Sequence, residues 1–144
     1  MISKQFTITG TSPAAASTAA ISNPVHGLNS FDFFTIDAAV LGATGGTLDL
    51  VLQREVGAPG SGVWADWCAF PQAAAAASVK YYTVASGTDK TITEVGRATT
   101  VVLAANTFVG GHPGDAVRLI GKAGTSTSAG AAQTVIINAW SAMR

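Results

Sequence analysis

The chain has 144 residues; its eight basic and eight acidic residues make up only 11% of it and give a formal net charge of zero. Ordinary soluble domains contain about 25% charged residues, and the balance here argues against a basic face for nucleic acid. A surface with so little charge lacks the repulsion that keeps proteins apart. Either much of it lies against copies of the chain or another protein, or the chain is a monomer coated in Ser, Thr, Ala and Gly.

The length favours a single domain, which buries about 70% of the surface that its unfolded chain exposes. Cys68 is the only cysteine, which excludes an intramolecular disulfide and indicates folding in a reducing cytosol, or at least folding that needs no oxidation. Residues 1–9 lack the apolar block of a signal peptide. No apolar run approaches the roughly 20 residues that span a membrane, so we expect no membrane association.

Residues 1–20 are predicted to form an N-terminal strand or arm. Ile2, Phe6 and Ile8 alternate with polar residues, which is the period of a β-strand. The segment Thr11–Ala20 is either extended or a single helical turn, because it is short for a stable helix. An arm would add a strand to a neighbour, which makes these three apolar residues candidates for interaction. The alternative is an ordinary edge strand of the same domain.

Residues 21–144 are predicted to form one β-sandwich domain. Its first strand is Ser30–Leu41, which is rich in aromatic and β-branched residues. Phe34, Ile36 and Ala38 are predicted to share one face of this strand, and Phe31, Phe33, Thr35 and Asp37 the other.

The stretch Gly45–Phe70 predicts an antiparallel hairpin with a turn rich in Gly, Pro and Ser. The first strand places Leu48, Leu50 and Leu52 on one face. The second strand alternates, with one face predicted to hold Trp64, Asp66 and Cys68 and the other Val63, Ala65 and Trp67.

Short strands alternate with loops in the rest of the chain. The further strands are predicted at Val79–Ala85, Ala98–Leu103, Ala116–Lys122 and Thr134–Ala142. The loops are predicted at 72–78, 86–90, 106–115 and 123–131. In the strand Ala116–Lys122, Val117 and Leu119 are predicted to share one face. In the strand Thr134–Ala142, Val135, Ile137 and Ala139 are predicted to share one face. We therefore expect an all-β fold, an antiparallel β-sandwich of about eight strands with a jelly-roll-like arrangement.

The hairpin and the C-terminal third resemble a class of tailed-bacteriophage virion proteins. In that class a strand of the type TLDVxLQ leads through a Gly-rich turn to a strand of the type WTDxxxF. The matching residues here are Thr47–Gln53, Trp64-Ala65-Asp66 and Phe70, followed by Tyr81-Tyr82, Arg118 and Gly124-Thr125-Ser126. The resemblance extends from Gly45 to Trp140. It departs from the class at the turn, which reads GAPGSG where the class often has Asp-Gly-Gly.

The resemblance implies a non-enzymatic structural protein of a phage head, of the decoration or cement type. Such proteins hold capsomers together by contacts across their seams, commonly as trimers or dimers. The implied partners are other copies of the chain and the major capsid protein. The implied location is the capsid exterior of the virion, after assembly in the host cytoplasm. Some members of the class sit at the neck or tail instead.

No catalytic residue, cofactor or metal site is predicted. His26 and His112 lie in separate loops, and with one cysteine they give no zinc-ligand spacing. Asp49 and Asp66 could face each other across the hairpin, where a carboxylate pair would suit acid–base chemistry or calcium. The alternative is a solvated face or hydrogen bonds to loop amides. Cys68 has no basic neighbour and fits buried packing better than a nucleophile.

The remaining candidates are interaction residues. Arg54, Arg97 and Arg118 could anchor the carboxylates of a partner. His112 belongs to the long loop 106–115, which is predicted to lie on a partner or to be flexible. A carbohydrate-binding module is the rival to a structural role, with the three tryptophans as its platform; packing in a core or interface is the commoner use of tryptophan.

Overall fold

Strands dominate the part of the chain that the structure describes. The computed structural model describes residues 2–11, 19–41, 48–70, 79–85, 107–108, 112–123 and 132–141. Its strands are β1 (Ile2–Thr11), β2 (Ala19–Ile21), β3 (Val25–His26), β4 (Phe33–Leu41), β5 (Leu48–Glu55), β6 (Trp64–Ala69), β7 (Val79–Ala85), β8 (Thr107–Phe108), β9 (Ala116–Ala123) and β10 (Ala132–Ser141). A 3-10 turn, Leu28–Ser30, precedes β4. No helix within these ranges has the length and apolar character to cross a bilayer.

The strands form two sheets. The front sheet has four strands in the order β1-β10-β4-β7, and the back sheet has six, in the order β2-β9-β5-β6-β8 with β3 also paired to β9. Every pairing between the described strands is antiparallel. Apolar side chains of both sheets meet in one core between them. The predicted all-β sandwich is therefore confirmed.

The strand order is that of a jelly roll. When β2 and β3 are counted as one interrupted strand and the two-residue β8 is set aside, eight strands remain. They pair as a folded ribbon: first with last, second with seventh, third with sixth and fourth with fifth. Two antiparallel layers joined in this way are the jelly-roll architecture, in agreement with the predicted arrangement.

The core follows from the period-two alternation of the strands. Phe34, Ile36 and Ala38 of β4, which are predicted to share one face, all point inward. The shared faces predicted for three other strands are also confirmed, and they too point inward: Leu48, Leu50, Leu52, Val117, Leu119, Val135, Ile137 and Ala139. Burying a large aliphatic or aromatic side chain contributes about 1.5–3 kcal/mol, so this set supplies the main stabilisation of a sandwich without a disulfide.

A bulge in β6 changes the phase of that alternation. The register passes from Leu52 opposite Cys68 to Gln53 opposite Asp66, which leaves Trp67 as the extra residue. Cys68 and Trp67 consequently both lie in the core. The predicted face that joined Cys68 to Asp66 is wrong, because one inserted residue moves every later side chain to the other face.

Two local boundaries also differ from the prediction. The 3-10 turn Leu28–Ser30 takes up the predicted start of the strand, so β4 begins at Phe33. Strand β8 lies inside the predicted loop 106–115 and pairs with the end of β6. The predicted loop 123–131 starts one residue later, because Ala123 ends β9, and its residues 124–131 lie outside the described residues. The predicted strand Ala98–Leu103 and the predicted loops at 72–78 and 86–90 also lie outside them.

Candidate functional site

The outer surface of the front sheet, called the front face here, is formed by side chains of β1, β10 and β4 that point away from the core. Its members among the described residues are Ser3, Gln5, Thr7, Thr9, Phe33, Thr35, Asp37, Thr134, Ile136, Asn138 and Trp140. The register sets them in rows across three strands, so that Gln5, Asn138 and Thr35 lie side by side. Asp37 is the only charged residue of this set.

A chain of side-chain hydrogen bonds crosses the front face. Gln5 Nε2 donates to Asn138 Oδ1 over 3.0 Å, and Asn138 Nδ2 donates to Asp37 Oδ2 over 3.0 Å. Thr35 Oγ1 lies 3.5 Å from the same Asn138 nitrogen. The chain links all three strands and fixes the orientation of both amides. The face thereby presents donors and acceptors in fixed positions, which lowers the entropy lost when a partner binds.

An aromatic pair lies at one end of the front face. The rings of Phe33 and Trp140 stack with their centroids 6.5 Å apart and their planes 23° from parallel. Phe33 is 45% exposed, and the backbone N–H of Asp32 donates to the carbonyl of Trp140 and ties the pair to the entry of β4. Exposed aromatic rings beside fixed polar groups are typical of a surface that contacts a partner.

The outer side of the back sheet differs from the front face, because the side chains at its centre are buried. Arg118 Nε donates to Gln53 Oε1 over 2.9 Å, and Gln53 Nε2 donates to Asp66 Oδ1 over 2.8 Å. The Arg118 guanidinium lies 4.5 Å from the ring centroid of Trp64. Gln53 and Asp66 are fully buried, and desolvation lowers the pKa of Arg118. Arg118, a predicted anchor for a partner, thus packs within its own chain.

Arg54 and His112, two other predicted interaction residues, are brought together at one end of the sandwich. Arg54 Nη1 donates to the His112 carbonyl over 2.9 Å, while Arg54 Nε is buried with no hydrogen-bond partner in the described structure. His112 Nδ1 accepts from the Gly114 N–H over 2.9 Å, which assigns the ring proton to Nε2, 2.8 Å from the Phe31 carbonyl. The His112 ring also packs edge-on against Phe34, with centroids 5.1 Å apart. These contacts fix the end of the predicted loop to the chain's own core.

Asp115 closes the same end of the sandwich. Its Oδ1 accepts from the Gly27 N–H over 3.3 Å, and its Oδ2 lies 3.5 Å from His26 Nδ1. Its carbonyl accepts from the Leu28 N–H. The pair Asp49 and Asp66 does not form, because Asp66 lies opposite Gln53 and Asp49 lies opposite Lys122.

Glu55 closes the turn between β5 and β6. Its Oε1 accepts from the Gly62 N–H over 2.9 Å and its Oε2 from the Gly60 N–H over 3.0 Å. These bonds, that of Gly62 first, lower the pKa of Glu55. Both glycines have a positive φ, 70° and 80°, which lets the backbone turn its N–H groups toward the carboxylate. The GAPGSG turn is therefore held by a side chain at its own base.

The N-terminal candidates belong to the chain's own sandwich. Phe6 and Ile8 lie in the core, 6% and 1% exposed, and β1 pairs along its length with β10. The edge-strand alternative thus describes β1, and these two side chains do not face a partner. The side chain of Ile2 and the whole of Arg97 lie outside what the structure describes.

The tryptophans do not form a shared platform. Trp64 and Trp67 are buried, 7% and 1% exposed, and they lie on the back sheet. Trp140 is half-buried on the front face. Cys68 is 1% exposed, and desolvation raises its pKa to about 12, so its thiol stays protonated and unreactive in the folded chain.

The front face was not identified from the sequence. The sequence signal of this face is a set of uncharged polar residues at alternate positions of β1, β4 and β10. The set becomes visible once the register of the three strands is known. Within the described ranges no group of three His, Cys, Asp or Glu residues is placed to hold a metal ion. No protein-family model, curated protein or solved structure matches the chain.

Proposed function

We propose that this protein is a non-enzymatic structural protein of a tailed-bacteriophage virion that decorates the capsid exterior and docks on capsid subunits through its front face. The observation that carries the proposal is the front face itself, with one carboxylate, a stacked aromatic pair of which Phe33 is exposed, and a row of fixed amides. The resemblance of the hairpin supports the virion assignment. The jelly-roll strand order supports it as well, since capsid and lectin domains use this architecture.

In this proposal the affinity for the capsid is the sum of many modest contacts. The stacked pair of Phe33 and Trp140 supplies apolar contact area, and the amides of Gln5 and Asn138 supply directional hydrogen bonds. Asn138 already donates to Asp37, so one oxygen of this carboxylate enters the contact with its hydrogen bond made. A specific interface buries about 1,600 Å² in total. Contacts repeated by the symmetry of a shell raise the overall affinity without any exceptional single contact.

In this role the partners are the major capsid protein and other copies of the chain, as a dimer or trimer. The protein is assembled in the host cytoplasm and resides on the virion. A site at the neck or tail uses the same docking chemistry, and imaging of labelled particles separates the two locations.

The experiment compares two substitutions of exposed apolar residues with matched exposure. Phe33→Lys places a charge on the front face, whereas Val63→Lys places one at the end of the β5–β6 turn; the two parent side chains are 45% and 43% exposed. Binding is measured by co-sedimentation with shells of the encoding virus that lack this protein. We expect Phe33→Lys to weaken binding by at least about tenfold, the loss of one aromatic contact, and Val63→Lys to leave it unchanged. Wild-type protein that neither binds shells nor raises their melting temperature would overturn the proposal.

Carbohydrate binding is the second candidate, favoured by the half-exposed Trp140 ring beside the amides of Asn138 and Gln5. Trp64 and Trp67 are buried, so a fluorescence change on adding a glycan would come from Trp140. A saturable change that is lost in Trp140→Phe, together with a positive glycan array, would favour this function over shell binding. No response across the array would discard it.

A further inference from the structure

Strand β1 forms one edge of the front sheet and has no partner strand on its outer side in the described structure. We propose that β1 pairs antiparallel with β1 of another copy, across a two-fold axis perpendicular to the sheet and centred on Thr7. Two four-stranded front sheets would then join into one continuous sheet of eight strands. This inference does not rest on the proposed function, because it concerns only the association of the chain with itself.

The edge of β1 is open and long. Strand β1 has ten residues, all paired on one side with β10 in an unbroken register from Ile2 to Thr11. On its other side the described structure contains no partner strand. A β-strand directs half of its backbone N–H and C=O groups to each side, so among the described residues this edge presents a regular row of donors and acceptors without a partner strand.

Other sheet edges are short or interrupted. The back sheet ends at β2 and β3, strands of three and two residues with Pro24 between them, and at its other side at the two-residue β8. Short edge strands and proline are the features by which proteins prevent edge-to-edge association. The other edge of the front sheet, β7, has seven residues. Strand β1 has neither proline nor bulge and is the longest of these edges.

The one charge on β1 does not block the edge. Lys4 Nζ lies 4.6 Å from the centroid of the Phe6 ring, so the ammonium folds along its own strand. In a pairing centred on Thr7, Lys4 would lie opposite Gly10 and Gln5 opposite Thr9. No like charges would meet, and two threonines would face each other at the axis, which is a favourable cross-strand pair.

The two-fold axis preserves the faces of the sheet. Side chains at even positions, such as Phe6 and Ile8, point to the core side in both copies, and the uncharged Gln5, Thr7 and Thr9 point to the outer side in both. The same patch is used on each copy, as an isologous dimer requires. The pairing therefore extends the front face across the axis instead of covering it.

The test measures the mass of the full-length chain in solution by light scattering after size exclusion, over a concentration series. We expect wild type to be a dimer, and Thr7→Lys and Thr7→Glu each to be monomeric, because like charges would face each other at the axis. An equimolar mixture of the two variants should restore the dimer. Ser61→Lys, in the exposed β5–β6 turn, is the matched control and should remain dimeric.

A second variant covers the case in which a charge at position 7 prevents folding. Thr7→Cys is nearly isosteric, and mild oxidation should link two copies through it, whereas Ser61→Cys should remain uncrosslinked; the native Cys68 is buried and does not compete. A monomeric wild type at all concentrations, a trimer, a dimer that survives Thr7→Lys, or equal crosslinking of the two cysteine variants would each overturn the inference.

Discussion

Gln53 donates a 2.8 Å hydrogen bond to Asp66 across the β5–β6 hairpin, at a point where neither side chain reaches solvent. The two residues stand opposite each other on the turn side of the β6 bulge. Arg118 adds a third member by donating to Gln53. Buried polar groups are costly unless they are paired, so this network stabilises the pairing of β5 with β6 next to the bulge.

Replacing Asp66 should therefore destabilise the fold. Asp66→Ala removes the acceptor for the buried Gln53 amide, and we expect the free energy of unfolding to fall by about 2–3 kcal/mol. Urea unfolding monitored by tryptophan fluorescence measures the change. Asp32→Ala, at an exposed acid before β4, is the control and should stay within about 0.5 kcal/mol. Equal losses for the two variants would contradict the role given to the network.

The β5–β6 turn should open at low pH. The folded-state pKa of Glu55 lies below its ordinary value of 4.5, mainly through the bonds from Gly62 and Gly60. The ionised carboxylate therefore stabilises the turn above the ordinary pKa, and this contribution is lost as the pH falls through the lowered folded-state value. We expect the protection of the Gly60 and Gly62 amides against hydrogen exchange to fall between neutral pH and about pH 3.

The control for that measurement is Glu55→Gln. The amide has one acceptor oxygen in place of two and no titrating proton, so the protection of Gly62 should be lower than in wild type and should show no transition in the same range. A transition that persists in Glu55→Gln would assign the pH dependence to another group.

A core substitution in β1 should show that this strand belongs to its own domain. Ile8 is 1% exposed, and Ile8→Ala should lower the free energy of unfolding by about 2–5 kcal/mol. Thr7→Ala, one residue away on the exposed side of the strand, should cost no more than about 0.5 kcal/mol. If the two changes have the same small effect, β1 contributes little to its own core, as expected of an exchanged arm.

The thiol of Cys68 should react only after unfolding. Desolvation raises its pKa to about 12, so almost no thiolate is present at neutral pH. We expect labelling by a thiol reagent to follow the unfolding transition in urea. Ser61→Cys supplies an exposed thiol for comparison and should be labelled immediately in the native protein. Prompt labelling of Cys68 in native wild type would show that β6 opens locally.

The alternation of β4, β9 and β10 could be predicted from the sequence because it is a local property. Val135, Ile137 and Ala139 repeat every second residue, and the pleat of a strand turns that repeat into a face. The bulge at Trp67 could not be predicted in this way, because it is a mismatch between two strands and depends on the register of β6 against β5.

The front face could not be predicted because it depends on contacts that are distant in the sequence. Gln5 and Asn138 are 133 positions apart and meet only when the first strand pairs with the last. The position of His112 also depends on long-range contacts. In the sequence it is a loop residue between glycines, whereas in the structure contacts to Phe31, Phe34 and Arg54 hold it in place. Residue types identify candidates, but only the long-range pairing of strands brings them together.

The central place of β10 in the front sheet, between β1 and β4, has a consequence for biosynthesis. A ribosome must translate β10 before β1 and β4 can be joined, so half of the sandwich stays unassembled while the nascent polypeptide grows. Closure of such distant pairings is slow and exposes apolar strands in the meantime. We therefore expect truncated products that end before residue 132 to be insoluble or degraded, which leaves only finished chains available for use.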